Sequence, residues 1–161
     1  MASKKELRKY LQEFTKEELV KEVEKLHQKF QAVQQFYSLE LGNDSAKLLD
    51  QYKIKLAKIF YPKGNYLNPS MSVANKLINE FSKISVYTVD TIDLMLYKAE
   101  LSIKLFEDWG LEFTNVVNSF ISGYDKIINL IRKNNLEEYF RDRCENIEGF
   151  ALNYGLINET L

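Results

Sequence analysis

Apolar residues return every third or fourth position along almost the whole chain, the period of an amphipathic helix rather than a strand. Leu7, Tyr10, Leu11 and Phe14 set the first stripe. A Ser3-x-x-Glu6 capping box precedes them, and Thr15-x-x-Glu18 repeats that pattern at once, so the chain turns at Phe14–Thr15 and starts again. The second stripe reads Leu19, Val23, Leu26, Phe30, Val33, Phe36 and Tyr37, as one long helix ending at Gly42-Asn43-Asp44. Leu48, Leu49, Tyr52, Leu56, Ile59 and Phe60 form the inner face of a third helix, closed by Pro62-Lys63-Gly64. After the longest irregular stretch, Val73, Leu77, Ile78 and Phe81 mark a fourth helix.

A fifth helix spans roughly Val89 to Asp108, along Ile92, Met95, Leu96, Ala99, Ile103 and Phe106, and Trp109-Gly110 breaks it. The sixth runs from about Leu111 to Lys133. Phe113, Val116, Val117, Phe120, Ile121, Tyr124, Ile127, Ile128 and Ile131 give it the broadest apolar face, so it is the expected centre of the fold. The seventh carries Phe140, Cys144, Ile147 and Ala151. The expectation is an all-α fold: about seven antiparallel helices in one bundle, with α-solenoid-like pairing an alternative for the second half, in a single domain over 1–161.

The opening Ser3-Lys4-Lys5-Glu6-Leu7-Arg8-Lys9-Tyr10-Leu11 and Lys16-Glu17-Glu18-Leu19 resemble the start of a bacterial domain-of-unknown-function family of small helical proteins. The Phe60-Tyr61-Pro62-Lys63 turn is similar to a Phe-Phe-Pro-Lys turn of that family, with tyrosine at its second aromatic position. Asp93 to Tyr97 and Glu112 to Asn115 look like its later helices. The resemblance implies a helical fold and a bacterial cytosolic setting, and it transfers no catalytic residue.

Composition narrows the chemistry. With 45% hydrophobic residues and a net charge of -1, the chain can build a core and is not a bulk polycation. Residues 1 to 63 carry 13 Lys and Arg against 9 Asp and Glu, and residues 64 to 161 carry 9 against 14, a polarity that could orient a partner. No apolar run reaches the ~20 residues of a membrane span, and the N-terminus lacks a signal-peptide pattern, so the expected location is cytoplasmic, with no membrane partner.

His27 is the only histidine and Cys144 the only cysteine. Glu24-x-x-His27 therefore cannot be doubled into a di-iron site, and a histidine at the rim of its helix is the expected reading. Cys144 lies among apolar neighbours at helical spacing, as an inert buried thiol does. No Gly-x-Ser-x-Gly elbow, phosphate-binding loop or dinucleotide fingerprint is present. These gaps point away from an enzyme and give no cofactor.

Ten Tyr and ten Phe are many for 161 residues. The turn with Tyr61, Pro62, Lys63, Tyr66 and Leu67 places aromatics beside a lysine, as interfaces do, and is the candidate contact for another protein or a second copy. The alternative is nucleic acid, bound through Lys5, Arg8 and Lys9 of the first helix with Lys53 and Lys58 of the third. Interleaved glutamates weaken that reading.

Overall fold

In a computed structural model, residues 3–42, 45–64 and 68–157 are described, Leu39 and Gly42 by backbone alone. Among them there are eight helices and no strand. They are α1 (Lys4–Gln12), α2 (Lys16–Lys29), α3 (Gln31–Gly42), α4 (Ser45–Phe60), α5 (Met71–Ile84), α6 (Thr88–Trp109), α7 (Thr114–Lys133) and α8 (Glu137–Asn153). The extra helix comes from Phe30. Its backbone is extended, at φ -123 and ψ 115, which splits the long second helix into α2 and α3. The Phe30 carbonyl accepts from the amides of Val33 and Gln34, so α3 starts without a helix breaker in the sequence. Helical periodicity passes through such a one-residue break unchanged.

Met1–Asn43 and Asp44–Leu161 are two compact units. In the first, both capping boxes form. The Ser3 amide donates to Glu6 Oε2 at 2.7 Å and the Glu6 amide to Ser3 Oγ at 3.3 Å. Thr15 and Glu18 repeat the exchange at 2.8 and 3.2 Å. Hydrogen bonding to the Ser3 and Thr15 backbones holds the carboxyls of Glu6 and Glu18 below their usual range. α2 and α3 pack together. No described residue of this unit is buried, although the stripes on α1 and α2 are those expected to line a core.

In the second unit α6 packs against α4, α5, α7 and α8. It is the central helix, not the 111–133 segment expected from the sequence. The reason is geometric. Ile92, Leu94, Leu96, Ala99, Leu101, Ser102, Leu105 and Phe106 are buried, and their spacings of one, two and three wrap around the helix rather than mark one side. A single broad stripe belongs to a helix with one wet face, and α7 is such a helix: Phe120 and Tyr124 are buried, while Ile121 at the edge of the stripe stays 37% exposed. α5 also turns differently from the expected face. Met71, Ala74, Ile78, Phe81 and Ile84 are buried, while Val73 is exposed. The Ser70 hydroxyl accepts from the Val73 amide at 3.4 Å and starts this helix. Gly110, at φ +69, ends α6 in a conformation that side chains rarely adopt. The second unit is thus arranged round one helix rather than as successive pairs.

Candidate functional site

Two features of the surface are not explained by packing. The first is in the second unit. Asn75, Ile78 and Asn79 share one face of α5, and Ser119, Ser122, Gly123 and Lys126 share one face of α7 by their spacing. Between them, Met95 and Lys98 project from α6 into a cavity of about 250 Å³ lined by all these residues. Lys98 Nζ donates to Asn75 Oδ1 and to Ser119 Oγ, both at 2.8 Å. An ammonium has three N–H donors, so one is left. Burial first, and the like charge of Lys126 second, pull the Lys98 amine from its ordinary 10.5 down to about 8. Among the described residues no ion pair involves Lys98 or Lys126.

A charged cluster on the other side of α6 shows what a compensated site looks like. Arg143 of α8 donates from Nε to Glu100 Oε1 at 2.6 Å and from Nη1 to Asp93 Oδ1 at 2.7 Å. Lys53 of α4 reaches the same Asp93 oxygen at 2.9 Å. Two cations meet two carboxylates there, and the cluster ties α4, α6 and α8 together. It is a brace. The Lys98 side of the same helix carries positive charge without an acid to match it.

The second feature is the N-terminal unit. Leu7 and Tyr10 of α1 are each 52% exposed. Val20, Val23 and Leu26 of α2 are 50, 40 and 39% exposed, and Phe30 is 52% exposed. Between α2 and α3, Val23, Glu24, His27, Gln28, Tyr37 and Leu41 line a groove of about 410 Å³, with the His27 and Tyr37 rings 6.3 Å apart.

The sequence matches one family over residues 2–160. The chain belongs to DUF6155, a family of unknown function. No curated protein and no solved structure matches this DUF6155 chain.

The structure of the DUF6155 protein scatters the residues singled out in its sequence. Tyr61 is half-buried, and its hydroxyl donates to Asp108 Oδ2 at 3.0 Å. Burial, then that carboxylate, push its phenol well above the usual tyrosine range. Lys104 sits over its ring, 5.4 Å from the centroid. Pro62 and Lys63 are exposed, and Tyr66 and Leu67 lie outside the described residues. The expected turn is therefore only partly in view, and its one described aromatic is tethered to α6. Lys53 is held by Asp93, and it faces the Tyr97 ring at 5.7 Å. Lys5, Arg8 and Lys9 are exposed on α1, and Lys58 is exposed on α4. His27 stands at the exposed rim of the α2–α3 groove. Cys144 is half-buried, with burial raising its thiol. Among the described residues no three His, Cys, Asp or Glu side chains group as metal ligands, and no helix is long and apolar enough to cross a membrane.

Sequence reading missed the Lys98 cavity, yet a signal existed. The positions three and four residues away on α6 are Leu94, Met95, Leu101 and Ser102, so no acid on this helix can neighbour Lys98. A lysine in a helix apolar on several sides, with no acid three or four positions away, is the signal that singles out Lys98.

Proposed function

We propose that this DUF6155 protein is an interaction protein, and that its first partner is a second copy of the same chain joined through the apolar faces of α1 and α2. The observation that carries the reading is a pair of capped helices with no buried residue, whose Leu7, Tyr10, Val20, Val23 and Leu26 are 39–52% exposed. Burying such side chains yields roughly 1.5–3 kcal/mol each when complete, so several half-exposed ones can drive association. The capping boxes fix both helices without help from a core, so the surface is formed in advance and little ordering cost attends docking. Residues 1–43 carry eight Lys and Arg against seven Asp and Glu, so two copies meet without net repulsion.

This face ranks ahead of the turn at Tyr61, whose ring and hydroxyl are engaged within their own unit. It also ranks ahead of nucleic acid, because Lys53 is neutralised by Asp93 and the cations of residues 4–29 are interleaved with Glu6, Glu13, Glu17, Glu18, Glu22 and Glu24. Sedimentation velocity over a concentration series tests it. The wild type should show reversible association, and a Leu7→Ser, Val23→Ser, Leu26→Ser triple variant should sediment as a monomer with unchanged helical circular dichroism. Identical sedimentation of the two proteins would refute the reading. So would a variant that stops associating only because it loses helix.

A further inference from the structure

We infer that the cavity between α5, α6 and α7 is a binding site for a small oxyanion, a phosphate or carboxylate group, held by Lys98 together with Ser119 and Lys126. The argument starts from donors and acceptors. Lys98 uses two of its three N–H groups on Asn75 Oδ1 and Ser119 Oγ. Because Ser119 Oγ accepts from the ammonium, its own hydrogen is turned away from Lys98 and is free to donate. The side-chain amides of Asn75 and Asn79 add further N–H donors to the same wall. Lys126 adds a second ammonium. The lining thus offers unused donors under two positive charges, its acceptors are neutral amides and hydroxyls, and it holds no carboxylate. A cation finds no negative charge there to pair with. An oxyanion accepts from every group present.

Size restricts the ligand further. The volume of about 250 Å³ falls below the ~300–1,000 Å³ typical of drug-sized sites, so the occupant is a small anion or the charged head of a larger molecule.

Gly123 lines the same cavity. It lies within α7, where glycine weakens a helix by about 0.5–1 kcal/mol relative to alanine. A Cβ built there meets nothing within 4 Å, so no neighbour requires glycine. Its missing side chain keeps the cavity wall low beside Ser119 and Lys126.

Inorganic phosphate and acetate, titrated separately against the full-length protein at constant chloride-balanced ionic strength, provide the test. Amide chemical shifts of Ser119, Ser122 and Gly123 are the readout. Saturable shifts at these residues are expected for at least one of the two anions, and which one saturates at lower concentration separates phosphate from carboxylate. Lys98→Met should weaken binding roughly ten- to hundredfold, as expected for losing one charge-assisted hydrogen bond. Gly123→Val keeps both lysines and narrows the cavity, and it should weaken binding as well. Two results overturn the assignment: no saturation with either anion below about 10 mM, or equal affinity in the wild type and Lys98→Met. Association of the chain through α1 and α2 plays no part in this readout, so either proposal can fail alone.

Discussion

Lys98→Met should make the protein more stable. At about pH 7 the folded chain holds this ammonium in a half-buried cavity beside Lys126, which lowers its pKa from 10.5 to about 8. At ~1.4 kcal/mol per pH unit, that depression corresponds to roughly 3 kcal/mol of disfavoured charge. Methionine keeps most of the alkyl stem and removes the charge. It forfeits two hydrogen bonds, to Asn75 and Ser119, each worth about 0.5–1.5 kcal/mol. The expected gain is therefore about 1–2 kcal/mol near pH 7. The pH dependence has a definite sign. Between about 8 and 10.5 the unfolded chain binds more protons at this lysine than the folded chain does, so the wild type gains stability as pH rises through that window. By about pH 9.5 roughly 2 kcal/mol of the cost is relieved, and the advantage of the variant shrinks to about zero. Urea unfolding of both proteins at the two pH values, followed by far-ultraviolet circular dichroism, measures the gap. Comparing the pair cancels the tyrosines and other lysines that titrate in the same range. A variant less stable than the wild type at neutral pH, or a gap that does not move with pH, would refute the reasoning.

The two units should respond differently to truncation. Leu94→Ala, at a fully buried position of α6, should cost about 2–5 kcal/mol in urea unfolding. Leu7→Ala on α1, 52% exposed, should change stability by under about 0.5 kcal/mol at concentrations where the chain is monomeric. Comparable losses at both sites would contradict the burial pattern. Cys144 should react with an aromatic disulfide reagent several-fold more slowly in the native protein than in urea, because burial raises its thiol and shields it; equal rates would show an accessible thiolate.

The sequence by itself determined the helices, apart from the break at Phe30 that separates α2 from α3. Backbone bonds within a helix join residues four apart, and the capping boxes at Ser3–Glu6 and Thr15–Glu18 join residues three apart, so both are written in local spacing. The turn at Phe14–Thr15, the break at Gly110 and the stripe from Val116 to Ile131 were legible for that reason. Helix hierarchy was not. A clear stripe signals one buried side, and it drew attention to α7, whereas α6 earned the centre by being apolar on several sides at once, which blurs its periodicity.

Only the tertiary structure decided which stripes are covered. The faces of α1 and α4 read alike, yet Leu56 and Phe60 are fully buried and Leu7 and Tyr10 are half-exposed. Burial depends on what else arrives at a face, and no local pattern records that. Charge compensation is likewise non-local. Arg143 meets Asp93 across 50 residues, and Lys98 meets Ser119 across 21 and no acid at all. Folding gives one a pair of carboxylates and leaves the other with only neutral acceptors, Asn75 and Ser119, because Coulomb energy follows distance in space and not position along the polymer.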